Sequence, residues 1–271
     1  MKKNIFVLTS LMLTLGCGCD SFLDETNYSD VTSEGGYYDT EAGLNAVVNA
    51  CYTPLRFWAG KEDAIGLSET GTDIIAAGSG CVDNNMAAYT QSLDGTNSAC
   101  TFYFDRFYAA INWCNTAIFH AQTVPNPSND EILATTLNKR EAEARVLRTF
   151  YYWILTETFG DTYYTDQPST SIVMNPVKTS TDNIYQYMFD DLDWAIKSKL
   201  STLQNDGGRV TIWTAKALKA RLLLTRASEK NDVDMYGQAY DLAKDVIENG
   251  PFELAEDFAS IWDMKNSDGN S

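Results

Sequence analysis

The chain has 271 residues with a formal net charge of −17, 44% apolar residues, six cysteines and one histidine. The apolar share is ample for a core. The acidity excludes the basic footprint that nucleic-acid backbones require, and it excludes electrostatic adhesion to anionic lipid.

Met1-Lys2-Lys3 is followed by an apolar run from Ile5 to Leu15 and then Gly16-Cys17-Gly18-Cys19. A short basic start, an apolar stretch of this length and a small-residue site describe a secretory leader, too short to cross a bilayer as a mature helix. A cysteine at the cleavage point suggests a lipoprotein whose thiol is acylated, and either Cys17 or Cys19 is placed for that role. Residues 1–18 are thus expected to be a lipoprotein signal peptide, 19–39 a tether, and 40–271 a helical domain.

Six helical segments are predicted in the remainder. The first opens at Thr40-Glu41 and carries Leu44, Val47, Val48, Cys51 and Leu55; the second runs from Phe102 to Ala121. The third is the long helix that ends at Phe159. Its stripe Leu133, Leu137, Ala144, Leu147, Tyr151 and Ile154 is flanked by a second arc of Val146, Phe150 and Trp153. A helix covered on more than one side sits between neighbours, so Phe150 is expected in the core. Arg145 and Arg148 interrupt the apolar surface where a guanidinium could pair with a carboxylate or carbonyl, and Gly160 is placed to end the helix in a left-handed cap. Ser180-Thr181-Asp182 caps the fourth helix, Thr211 to Ser228 is the fifth, and Tyr236 to Glu248 the sixth, stopped by Asn249-Gly250-Pro251. In the last pair, Ala215, Ala217, Ala220, Ala239 and Ala243 are expected to allow close packing, with Tyr236 and Tyr240 filling the gaps. Strand signals are scarce, and the fold class is mainly α.

Chemistry is sparse. The single histidine, His120, has no sequence neighbour to complete a triad or a multi-histidine metal site. There is no Gly-rich phosphate loop or nucleophile elbow, so neither a metal nor a cofactor is implied. Asp190 and Asp193 share a helix face expected to be solvated rather than to form a glycosidase carboxylate pair. Cys51 and Cys114 fall in apolar helical runs and read as buried thiols. Cys81 and Cys100 flank one polar loop that an oxidising compartment would allow to be bridged, but the sequence does not fix connectivity. That loop, about residues 59–101, collects the polar and aromatic groups outside the periodic helices: Asp73, Asp83, Asn84, Asn85, Tyr89, Gln91 and Asn97. A loop of this length in a compact domain is usually functional or disordered.

Several motifs together resemble the SusD/RagB family of outer-membrane nutrient-binding lipoproteins. They are Glu141-Ala-Glu-Ala-Arg-Val-Leu-Arg-Thr-Phe-Tyr-Tyr152 with Phe159-Gly-Asp161, Gly208-Arg209-Val210-Thr211 with Ala215, Leu218 and Ala220-Arg221, the Tyr236 to Phe252 segment, and Phe107-Tyr108 through Asn115. The resemblance implies a helical scaffold with divergent tetratricopeptide-type helix pairs. It favours Cys19 as the lipid anchor, because Cys19-Asp-Ser-Phe-Leu-Asp24 has the family's spacing, and Asp20, Asp24 and Glu25 resemble a surface-export signal. It further implies a non-enzymatic protein, lipid-anchored in the outer membrane and facing the exterior, that binds a glycan and hands it to a SusC-like TonB-dependent transporter. A RagB-type protein that binds peptide or another nutrient through the helical scaffold is the alternative. The corresponding loop contributes to the ligand face of such proteins, which makes Asp73, Asn84, Asn85 and Tyr89 the candidate ligand residues. Family members are much longer, so the chain is expected to be truncated before their C-terminal half.

Overall fold

The computed structural model describes residues 36–59, 62–78, 84–126, 128–202 and 207–262. The leader, Cys17, Cys19, Cys81, Asp83 and the residues after Trp262 lie outside the described residues. The chain divides into two units, Met1–Tyr37 and Tyr38–Ser271, and all that follows concerns the second.

The helices are α1 (Glu41–Tyr52), α2 (Leu55–Ala59), α3 (Glu62–Ser68), α4 (Asn84–Ala88), α5 (Ser98–Thr123), α6 (Glu131–Phe159), α7 (Thr181–Lys197), α8 (Ile212–Lys230) and α9 (Val233–Asn249), with a 3-10 turn at Phe258–Trp262. The strands among the described residues are β1 (Thr162–Tyr163) and β2 (Lys178–Thr179), paired antiparallel with Thr162 opposite Thr179. The mainly α class expected from the sequence is the class observed. No helix among the described residues is long and apolar enough to cross a membrane.

Side-chain caps set the starts of the long helices. Thr40, Asn97, Asp130, Ser180, Thr211 and Asp232 each accept a hydrogen bond from a backbone N–H of the first turn. Such a cap is typically worth about 1 kcal/mol. Gly160 ends α6 with φ 71° and ψ −135°, so the expected glycine cap is present but not in the left-handed helical well. That backbone region is open essentially to glycine alone.

The core forms where α6 meets α1, α5 and α7. Phe107, Ile111 and Cys114 of α5, Leu44, Val48 and Cys51 of α1, Tyr151 and Leu155 of α6, and Ile184, Met188 and Leu192 of α7 are buried together. Burial and the nearby Cys51 push the Cys114 thiol well up from its ordinary range, consistent with the buried thiols expected from the sequence. The central placement of α6 follows from its doubly apolar surface. Phe150 corrects the expectation made for it: it is half-buried and lines a groove, because the α6 arc carrying it faces α8 and α9 across an open gap.

The α8–α9 pair turns at Asn231, whose left-handed backbone (φ 53°, ψ 41°) leads directly into the Asp232 cap. Ala215, Ala220 and Ala239 are buried, as close packing requires. Ala217 and Ala243 instead line the groove, with Tyr236 and Tyr240 40% and 65% exposed, rather than filling gaps in the pair. The reason is that α9 is an outer helix whose sole fully buried residue is Ala239.

Candidate functional site

The segment expected to be one long loop contains three short helices or helix starts. α3 and α4 interrupt it, and α5 begins at Ser98 because the Asn97 side-chain oxygen accepts from the Ala99 and Cys100 amides. Sequence periodicity missed α3 and α4 because elements this short present less than two full turns of pattern.

Tyr89 follows α4 in the left-handed region, with φ 49°. A non-glycine residue there costs about 1–2 kcal/mol, so the surrounding contacts must hold it. Two contacts do so. The Thr90 N–H and hydroxyl donate to the Asn85 carbonyl and side-chain oxygen, at 3.3 and 2.6 Å, which closes the turn. The Tyr89 ring lies directly over Gly71, whose φ is +92°; a Cβ at Gly71 would come within 3.1 Å of both the ring and the Met86 carbonyl. Gly71 is therefore required by both its backbone and its ceiling. Met86 is buried beneath the turn, while Tyr89 remains 73% exposed.

The result is an aromatic face fixed by backbone geometry and offered to solvent. An exposed ring of this kind suits the apolar face of a sugar, and its phenol can hydrogen-bond a hydroxyl. Asp73 is exposed and stands two residues along the chain from Gly71. The Asn85 side-chain oxygen accepts from the Thr90 hydroxyl, which adds a positioning role in the turn to the ligand role expected for it. Asn84 begins α4, and its side chain is outside the described residues. The sequence reading missed Gly71; the Thr70-Gly71-Thr72-Asp73 run was its only local signal.

The motif acids and arginines are consumed by the scaffold. Arg148, 3% exposed, donates through Nε and Nη2 to the Asp191 carboxylate at 2.9 and 2.8 Å and through Nη1 to the Asn115 oxygen at 2.8 Å. Arg145 joins Asp191 to Glu141, and Glu141 also accepts from Gln122. Burial alone would lower the Arg148 pKa, but the adjacent Asp191 carboxylate raises it well above the usual range. Glu143, fully buried, accepts from the Tyr52 phenol at 2.7 Å and from Arg209 at 2.8 Å, and pairs with Arg140. The Glu-Ala-Arg motif thus serves two buried polar clusters, one joining α6 to α7 through Asp191 and one joining α6 to α1 and to the Gly-Arg-x-Thr segment before α8 through Glu143.

The Asn115 amide donates to the Thr165 and Gln167 carbonyls, and the Tyr152 phenol donates to the Thr165 carbonyl while accepting from its N–H. These bonds hold the segment after β1 against α5 and α6. Tyr164 packs there between Tyr152 and Tyr187, and burial pushes its phenol up to about 12.

Asp190 and Asp193 sit as ordinary surface acids, Asp190 accepting from Gln186 and Asp193 pairing with Lys219. His120 is not isolated, contrary to the sequence expectation. It is buried, its Nδ1 lies 2.7 Å from the Asp39 carboxylate, and the Tyr38 and Phe119 rings flank it. Asp39 precedes it by 81 residues, which is why no local pattern revealed the pair.

An apolar groove of about 1240 Å³ runs between α6, α8 and α9, lined by Phe150, Trp153, Leu218, Leu224, Tyr236 and Tyr240, with the Arg221 guanidinium 5.1 Å over the Trp153 ring.

Comparison with known proteins places this arrangement. A SusD-like protein of Bacteroides ovatus is 26% identical over 282 residues, covering 98% of this chain and 48% of its own length. The chain spans about half the length of the curated relatives it matches, 48% and 51%. A SusD homologue of Bacteroides thetaiotaomicron superposes with a TM-score of 0.72 at 22% identity, over 87% of this chain and 45% of that one. A protein described as a laminarin-binding SusD-like protein superposes with a TM-score of 0.68 at 20% identity, over 83% and 48%. The family model described as starch-binding associating with outer membrane matches residues 72–268, which include Tyr89 and most of the buried network, and the chain belongs to this SusD-like family.

Proposed function

We propose that this chain is the glycan-binding part of a lipid-anchored outer-membrane protein that faces the exterior and passes oligosaccharide to a TonB-dependent transporter. The observation that carries the reading is the Tyr89 ring, 73% exposed and packed against Gly71, with Tyr89 itself inside the family-matched region. The ring supplies a stacking face, and Asp73 supplies an acceptor for hydroxyls. The motif carboxylates are engaged with guanidiniums in the scaffold, and Asp193 with Lys219, which supports binding rather than catalysis.

Tyr89→Ala should weaken binding of laminarihexaose or maltoheptaose by about tenfold, equivalent to ~1.4 kcal/mol, with the helical circular-dichroism signal unchanged. Isothermal titration would read this; unaltered affinity in the variant removes the turn from the site. Binding should also be insensitive to salt, since a neutral sugar has no charge to screen. Measurable hydrolysis of either glycan by pure protein would overturn the binding class itself.

The anchor has its own test. Cys19→Ala should release the protein from membranes. Palmitate labelling that persists in Cys19→Ala and vanishes in Cys17→Ala would move the anchor to Cys17. Co-purification of an outer-membrane transporter with the wild-type protein, surviving in Tyr89→Ala, would support delivery as a step separate from sugar contact.

A further inference from the structure

Away from the Tyr89 turn, the β1–β2 ribbon and the N-terminal half of α5 enclose a cavity of about 420 Å³. This lies in the size range of small-ligand sites. Its walls are aromatic: Phe104, Phe159 and Tyr163 line it. Phe104 is 40% exposed, yet its ring is fixed, edge-on to Phe159 at 5.4 Å and against Tyr108 at 4.7 Å. Asp105 and Lys178, both exposed, stand at the rim, and Asp161 is held in place by accepting from the Thr181 N–H and hydroxyl. Those bonds keep the Asp161 carboxyl below its usual range, so it remains charged.

The deeper part carries a second observation. Thr162 contributes to the lining, is 4% exposed, and carries its hydroxyl beside the Tyr108 phenol. The neighbouring Tyr108 phenol already donates to the Tyr163 carbonyl at 2.7 Å.

We propose that this cavity is a second carbohydrate subsite, which takes the end of a neutral oligosaccharide. The proposal rests on the glycan-binding reading above and adds a site to it. Rigid aromatic walls match the apolar faces of a pyranose, and Asp105, Lys178 and the threonine hydroxyls match its hydroxyl rim. Charge selects the class. Two carboxylates against one ammonium leave the cavity negative, which disfavours uronate, sulfate or phosphate groups. The interleaved polar groups disfavour an acyl chain, which would leave them unpaired.

Backbone amide NMR on the full-length protein tests this with residue resolution. Laminarihexaose or maltoheptaose should shift the amides of Gly95, Thr101 and Thr162 as well as those of Gly71 and Tyr89. Phe104→Ala should weaken the cavity response by about tenfold, as expected for one lost stacking contact, while leaving the Gly71 and Tyr89 shifts in place. Asp105→Asn, at an exposed position, provides a variant with little risk to folding and should weaken the same response. Shifts confined to Gly71 and Tyr89 would overturn the cavity subsite and leave the proposed function standing. Shifts confined to the cavity would support the subsite and remove the Tyr89 turn. Trigalacturonate should leave the cavity amides unmoved; a response equal to that of the neutral sugars would overturn the neutral class. No response to any neutral probe would overturn both readings.

Discussion

Arg148→Ala should lower the folding free energy by about 3–5 kcal/mol, because it leaves the Asp191 carboxylate buried without its principal partner. Asp191 is 5% exposed and receives both the Nε and Nη2 groups of Arg148, so truncation removes a bidentate pair and also orphans the Asn115 side-chain oxygen. Arg145 remains within reach of Asp191 but is already shared with Glu141, and its guanidinium is packed 4.7 Å over Trp194, so it offers only partial compensation. The double variant Arg148→Met with Asp191→Leu removes both charges and fills similar volume. It should recover a large part of the loss, since a buried ion pair is often replaceable by well-packed apolar groups. Urea denaturation of Arg148→Met, of Asp191→Leu and of the double forms a cycle that measures the coupling. A single-variant loss below about 1 kcal/mol would mean that the network is solvated and contributes little.

Tyr151→Ala should be comparably damaging, at about 3–5 kcal/mol, whereas Phe150→Ala, one residue away, should cost only about 1–2 kcal/mol. Tyr151 is fully buried, stacks on Phe107 at 5.6 Å, and donates its phenol to the Cys51 carbonyl at 2.6 Å, so it joins α6 to α5 and α1 at once. Tyr151→Phe isolates the hydroxyl and should cost about 1 kcal/mol. Phe150 is half-buried on the groove side, so much of its surface is not removed from water in the described chain. Equal losses at the two positions in chemical denaturation would show that the groove is covered in solution and that Phe150 is a core residue after all.

These paired positions mark where sequence reasoning succeeded and where it stopped. The three-to-four spacing through Leu133, Leu137, Ala144, Leu147, Tyr151 and Ile154 identified the inner stripe of α6, and all of these residues are buried except Leu133 near the helix start, which is half-buried. The neighbouring arc gave the same apolar signal for Phe150 and Trp153, but periodicity reports which face is apolar and not what covers it. The site behaved in the same way. Tyr89 stood out as an aromatic residue outside any periodic run, while its exposure and its support from Gly71 required the turn to be seen. Asn85 read as a ligand group from its place in the long loop and from the family resemblance, and its bond from Thr90 became visible only in the folded turn.

What the sequence alone determined was local and periodic: helix starts at Thr40, Ser180 and Thr211, the central position of α6, the acidity that excludes nucleic acid, and motifs sufficient to indicate the family. Each of these is encoded within a few neighbouring residues. Only the tertiary structure decided what the motif charges do. Arg148 meets Asp191 across 43 residues, Tyr52 meets Glu143 across 91, Arg209 meets Glu143 across 66, and His120 meets Asp39 across 81. A charged side chain in a sequence carries no record of its distant partner. Its pairing is fixed when helix packing removes water and leaves each buried charge only the few neighbours that can satisfy it.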